Sequence, residues 1–184
     1  DRVDHRFVYV QLGKTDAVLA ESERMTNETY IPNDRIKVYV NKVEQTTKGP
    51  QIFVSRTHPN LLKRLFEEEV PEIFDGTVEV MSVAREAGER SKISVHAKNT
   101  DVDAVGSCVG ARGARVEAIV DELNGEKIDI VLWDEDPKVF VKNALSPSQV
   151  VSVTVDEDTK STVVVVPDHQ LSLAIGKKGQ NARL

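Results

Sequence analysis

The sequence predicts an α+β, multidomain fold: a small β-barrel followed by two copies of one α/β module. Three observations predict it. The first 58 residues hold only short alternating apolar runs between turn residues. From Asn60 onward, helical and strand spacings are mixed. Finally, the apolar pattern of residues 59–134 returns in 135–184 at an offset of 66, which is an internal repeat.

In the first segment, Phe7 to Leu12 ends at Gly13, Asp16 to Ala20 follows, Ile36 to Val40 alternates with period two, and Ile52-Phe53-Val54 closes the set. Gly13, Pro32-Asn33-Asp34 and Lys48-Gly49-Pro50 supply the turns. Alternation places Val8, Val10, Leu12, Ile36, Val38 and Val40 inside. Phe7, Tyr9, Gln11, Lys37 and Tyr39 then face out. Outward Phe7, Tyr9 and Tyr39 beside a cation make a surface on which unpaired bases could stack. Alternatively, Phe7 and Tyr9 pack against a neighbouring domain.

The second segment opens with Leu61, Leu62, Leu65 and Phe66 at helical spacing, limited by Pro71. Strands follow at 77–84 and 92–97, with Gly88 in the turn. Val102 and Val105 then precede a glycine turn, and Val116, Ile119, Val120 and Leu123 recur at i, i+3, i+4 and i+7. Gly125 ends that helix, and 127–133 reads as a strand. Residues 135–184 replay the order. Val139, Phe140 and Ala144 suggest a helix before Pro147. Val151, Val153 and Val155 mark a strand, 162–166 a second, and Leu171, Ala174 and Ile175 a helix that leads into another glycine turn and a further helix from Gln180.

The two turns are Gly110-Ala111-Arg112-Gly113 and Gly176-Lys177-Lys178-Gly179. A lone Gly-x-x-Gly is a weak signal, because any helix corner can end on a glycine of positive φ. Here it occurs twice, in register, each time between amphipathic helices and with cations but no acid in the middle. The absent side chains let a sugar-phosphate backbone approach the peptide. The N–H groups of the next helix then meet a phosphate with the helix dipole behind them. Arg112, Arg115, Lys177, Lys178 and Arg183 stand close enough in sequence to add charge. The bases would lie in an apolar groove between helix and sheet, which suits single strands.

Bulk properties agree with a soluble chain of 184 residues, 40% hydrophobic and 29% charged. Net charge of −6 speaks against nucleic acid until it is divided. Residues 1–58 carry net +1, 59–134 net −7 and 135–184 net 0, and much of the middle acid is the local cluster Glu67-Glu68-Glu69, Glu72 and Asp75. The single cysteine, Cys108, fits a reducing compartment and reads as a small buried thiol. The longest apolar run, Val163 to Val166, is far below the roughly 20 residues of a membrane span. No secretory leader opens the chain, and Asp1 reads as a cut through a larger protein.

Longer strings carry a resemblance: Ser55-Arg56-Thr57-His58-Pro59, VPEIFDG from Val70 to Gly76, SVAREAG ending at Gly88, GEKIDIVLW from Gly125 to Trp133, and LSLAIGKKGQNARL from Leu171 to Leu184. Over nearly all its length the chain resembles the bacterial NusA family of transcription factors. That resemblance implies an OB-fold of the ribosomal S-one type at 1–58, cut at its N-terminus. It also implies two type II KH domains packed as one unit, at 59–134 and 135–184, the second cut at its C-terminus. It further implies binding of nascent single-stranded RNA and of bacterial RNA polymerase near the RNA exit channel. Pausing, intrinsic termination and antitermination would be modulated, with other elongation or antitermination factors as further partners. A cytoplasmic monomer is expected. Such barrels often carry an aromatic and a His on strands facing RNA; Tyr9 and Leu19 stand at those places here. Ala111 stands where the family often has Pro, and the family's polymerase-binding N-terminal domain does not occur in this sequence.

No cofactor, metal or catalytic group is expected. The sequence has no P-loop, no His/Cys metal spacing and no Ser-His-Asp pattern. His5, His58, His96 and His169 are scattered. Asp101/Asp103 and Glu135/Asp136 read as loop and helix N-terminal acids. Two alternatives remain open at this level: an accessory RNA-binding region of an exoribonuclease, and a protein-interaction scaffold using the acidic middle segment.

Overall fold

The structure is a computed structural model that describes residues 2–3 and 6–184. Its first part is a five-stranded sheet of β1 (Arg2–Val3), β2 (Phe7–Leu12), β3 (Thr15–Ala20), β4 (Tyr39–Thr46) and β5 (Gly49–Ser55). The order is β1-β2-β3-β5-β4, with β3 and β5 parallel and the other pairs antiparallel. Gly13, at φ +63°, makes the tight β2–β3 turn. Val8, Ala17, Leu19 and Val54 form the core, with Val10, Leu12, Ile36 and Val38 packed on it. The inward face expected of β2 is therefore correct, as is that of Ile36 and Val38.

Two expectations fail here. The strand expected at 36–40 begins only at Tyr39, and Val40 is 46% exposed beside a register shift between Val40 and Lys42. The cause lies outside the sheet. Lys37 donates its backbone N–H to Glu122 Oε1 at 2.9 Å, and its carbonyl accepts from Arg56 Nη1 at 2.8 Å. Backbone groups used for the next domain are lost to the ladder.

Residues Ser55 to Pro59 form the joint. Ser55 Oγ accepts from the N–H groups of Thr57 and His58. His58 Nδ1 caps the next helix by accepting from Asn60 N at 3.0 Å, and Pro59 fills its first position. The Arg56 side chain is 1% exposed and satisfied on all sides by Glu28, Glu122 and two carbonyl oxygens. A second buried pair, Arg85 with Glu126, also ties the parts together. Arg85 donates to the His58 carbonyl, and Glu126 accepts from Gly88 N and Ser91 Oγ. Burying such charges is tolerable only because every polar atom finds a partner.

The second part runs α1 (Pro59–Glu69), α2 (Pro71–Phe74), β6 (Val78–Glu86), β7 (Arg90–Ala97), α3 (Ala104–Val109), α4 (Ala114–Glu122) and β8 (Lys127–Leu132). Its sheet is β6-β7-β8, antiparallel then parallel. Leu61, Leu62, Leu65 and Phe66 of α1 pack onto Val78, Ile93 and Val95 of the sheet and onto Cys108, Ile119 and Leu123. Each such side chain contributes about 1.5–3 kcal/mol by leaving water. The third part repeats the plan with α5 (Pro137–Ala144), β9 (Ser152–Asp156), β10 (Ser161–Val165), α6 (Leu171–Ile175) and α7 (Gln180–Arg183).

Candidate nucleic-acid interface

The two glycine turns have nearly the same backbone. Gly110 lies at φ 75°, ψ 175° and Gly176 at φ 77°, ψ 167°. Arg112 and Lys178 follow at φ 53° and 54°, then Gly113 and Gly179 at 83° and 74°. In each, the second glycine's N–H donates to the first glycine's carbonyl, at 3.2 and 3.0 Å. The first glycine is needed twice over. Its φ/ψ region belongs almost only to glycine, and a Cβ on Gly110 would come 2.6 Å from Arg115 Cγ, or on Gly176 2.8 Å from Asn181 N. The offset of 66 read in the sequence is thus a repeat of geometry as well.

Of the five cations proposed at these turns, the structure leaves three presented outward. Arg112, Lys177 and Lys178 are exposed, and among the described residues their side chains form no ion pair. Arg115 departs from expectation. Its Nη1 donates to the Ser107 carbonyl at 2.6 Å and to Glu72 at 2.8 Å, so it braces the helix before the turn. Asn181, its counterpart in the repeat, likewise donates to the Ala174 carbonyl at 2.9 Å. Arg183 departs too: it holds Glu86 at 2.7 and 3.2 Å and donates to the Lys178 carbonyl.

Beside the first turn lies a cavity of about 240 Å³. Val105 and Val109 of α3 and Val116 of α4 form one wall, Ile128 to Val131 of β8 the other, and Asn143, Ala144 and Ser146 close one end. It lies between helix and sheet, the place where the sequence leads one to expect bases. The individual wall residues were not singled out from the sequence, where their spacing reads only as core. Except for buried Val131, half-burial distinguishes the wall residues, and periodicity does not encode it.

The expected aromatic platform is not assembled. Phe7, 38% exposed, and half-buried Tyr9 share one face of β2. Tyr39 starts β4, three places away in the strand order. Its ring stacks on His58 at 4.6 Å, and its hydroxyl accepts from Asn60 Nδ2 at 3.1 Å. Leu19 also sits elsewhere than expected: it is fully buried opposite Val8 on the inward face, whereas Val18 is the residue across from Tyr9.

The remaining candidates have local roles. Cys108 is fully buried, and burial pushes its thiol up to about 12. Asp103 and Asp136 cap α3 and α5 through Gly106 N and Lys138 N. His96 meets Trp133 edge-on, His169 lies exposed in a turn, and His5 lies outside the described residues. Among the described residues, no three His, Cys, Asp or Glu side chains gather as metal ligands. No helix is long and apolar enough to cross a membrane.

Residues 56–133 match the NusA-like first KH domain, and 137–184 match the NusA-like second KH domain. The chain is 70% identical over 183 residues to the transcription termination/antitermination protein NusA of Halalkalibacterium halodurans. It is 69% identical to that of Bacillus subtilis and 50% identical to that of Thermus thermophilus. All of this chain is covered in each case, and it spans about half the length of these relatives, 48%, 49% and 48%. The chain is thus homologous along its whole length to NusA proteins and carries two NusA-like KH domains, a first followed by a second.

Proposed function

We propose that this chain is the RNA-binding region of a non-catalytic transcription elongation factor. It contacts nascent single-stranded RNA at bacterial RNA polymerase and so modulates pausing, termination and antitermination. The observation that carries this reading is the pair of matching exposed turns, each presenting cations that no acid neutralises among the described residues. Phosphates run over Gly110–Gly113 and Gly176–Gly179, where bare peptide and Arg112, Lys177 and Lys178 face them. Bases turn into the groove walled by α3, α4 and β8. The relatives' name, transcription termination/antitermination protein, supports the setting in transcription.

The first 58 residues are read as an OB-fold, because strand order β1-β2-β3-β5-β4 with β3 parallel to β5 suits a five-stranded Greek-key barrel. Domain limits of 1–58, 59–134 and 135–184 go with this reading. A monomer in the bacterial cytoplasm, working with the polymerase and other elongation factors, completes it.

The test replaces Ala111, Arg112, Lys177 and Lys178 together with Asp. Asp tolerates the positive φ of Arg112 and Lys178, so the fold should survive. Binding to an unstructured RNA should be lost, and any remnant should depend less steeply on salt, since fewer counterions are released. A folded quadruple variant that binds like the parent would refute the reading.

A further inference from the structure

The cavity beside the first turn is not built by the first KH domain alone. Asn143 and Ala144, the last residues of α5, and Ser146 just after it close its end and belong to the second domain. They are held firmly: Asn143 Nδ2 donates to the Leu132 carbonyl at 3.0 Å, and Lys92 Nζ donates to the Ala144 carbonyl. Both anchors lie in the first domain's sheet, on β8 and β7.

The walls cannot tell one base from another. Val105, Val109 and Val116 face Ile128 and Ile130 across the cavity, and apolar walls accept the flat face of any base. Discrimination needs hydrogen bonds to the base edge, and only three side chains on the lining can make them: Asp129, Asn143 and Ser146. Asp129 is held through Oδ2 by two cations, and as a carboxylate it can only accept, so it cannot read a donor and an acceptor together. It accepts from Arg90 Nε at 2.8 Å and faces Arg90 Nη2 at 2.7 Å and Lys92 Nζ at 3.6 Å. Asn143 spends one amide hydrogen on Leu132 and keeps its other N–H and its Oδ1. The exposed Ser146 hydroxyl makes no hydrogen bond among the described residues.

We infer that Asn143 and Ser146 read the edge of one unpaired nucleobase held in the first domain's groove, so that base preference at the first hairpin is set by the second domain. This rests on the RNA-binding function proposed above. It deepens that function by assigning specificity to residues outside the first KH domain. The contact is pre-organised, because the interdomain hydrogen bonds fix Asn143 before RNA arrives.

The test measures affinity for a set of short unstructured RNAs that differ at one position, using the whole chain and its Asn143→Ala and Ser146→Ala variants. The parent should prefer one base at one position by roughly tenfold, the size of a single good base contact. Each variant should flatten that preference to less than about threefold while its affinity for a mixed-sequence pool changes little, because phosphate contacts carry that affinity. Ser146→Ala keeps the test valid should loss of the Asn143–Leu132 bond disturb the domain junction. A preference that survives in the folded variants, or no preference in the parent, would overturn the inference. The quadruple Asp variant separates this from the wider reading. If it loses binding while Asn143→Ala keeps its base preference, the RNA-binding function stands and only the specificity assignment falls.

Discussion

Arg183 of the second hairpin's helix grips Glu86 at the tip of the first domain's β6–β7 hairpin, through Nε at 2.7 Å and Nη2 at 3.2 Å. Gln180 reinforces the contact by donating to both Glu86 and Glu89, at 2.9 and 3.1 Å. Arg183 also holds the Lys178 carbonyl within the second turn itself. The first domain therefore touches the glycine turn of the second, which fixes how the two turns stand relative to one another.

Under the proposed function, Glu86 positions the two turns for long RNA. Two sites held at a fixed span act at a high effective concentration, and loosening one lowers it. Glu86→Ala should weaken binding of an RNA long enough for both turns by several-fold. Binding of an oligonucleotide that fills one turn should hold steady or rise, since Arg183 is released to meet phosphate. Equal effects on both RNAs in a titration by fluorescence anisotropy would show that the contact does not set the span.

The four glycines of the turns are not equivalent. Gly110 occupies a φ/ψ region nearly closed to other residues, and a Cβ there meets Arg115. Gly113 is simply left-handed, with nothing nearer than Glu117 Oε1 at 3.6 Å. Gly110→Ala should therefore cost about 1–3 kcal/mol of stability. Gly113→Asn should cost less, because Asn visits the left-handed region readily. Urea unfolding of the two variants gives the comparison, and a larger loss for Gly113→Asn would contradict the backbone assignment.

Much of this was legible in the sequence. The repeat at offset 66, the order of elements in both KH domains and the two turns follow from glycine spacing and apolar period. The directions of long side chains do not. Arg115 and Arg183 look like RNA ligands because they lie near glycines, but their acidic partners Glu72 and Glu86 lie 43 and 97 residues away. In the same way Lys37 gives its N–H to Glu122, 85 residues on, and so ends a strand that local alternation would extend. Non-local hydrogen bonds decided each of these departures.

Alkaline pH should unfold this protein earlier than its acids and bases would suggest. Burial pushes the Cys108 thiol from its ordinary 9.0 up to about 12. Burial, helped by the hydrogen bond to Glu28, pushes Tyr30 from 10.0 up to about 12. Both folded values are raised, so the folded state keeps protons that the unfolded state has released. Stability is fully present below about pH 9 and is lost as pH rises from there toward 12. Cys108→Ala should be less stable than the parent at pH 7, because it leaves a small cavity, yet lose less further stability between pH 8 and 10.5. Denaturant midpoints across that range provide the check, and parallel curves for parent and variant would refute the assignment.

The aromatic residues of the five-stranded sheet separate into two roles. Tyr39 is committed to structure, with its ring on His58 and its hydroxyl bonded to Asn60 at the start of α1. Tyr9 lies with exposed Phe7 on the outer face of β2, away from the Val8–Leu19 core. Leu19 points inward, so its apolar side chain says nothing about the outer face and does not weaken it. If a base stacks on Tyr9, Tyr9→Ala should weaken RNA binding by about 1–3 kcal/mol with little change in thermal midpoint. Tyr39→Ala should do the reverse, lowering the midpoint through the lost joint between the five-stranded sheet and α1 while RNA affinity changes little. Binding and melting measured on the same two variants decide the matter. A Tyr9 variant that melts early and binds normally would assign that ring to domain packing instead.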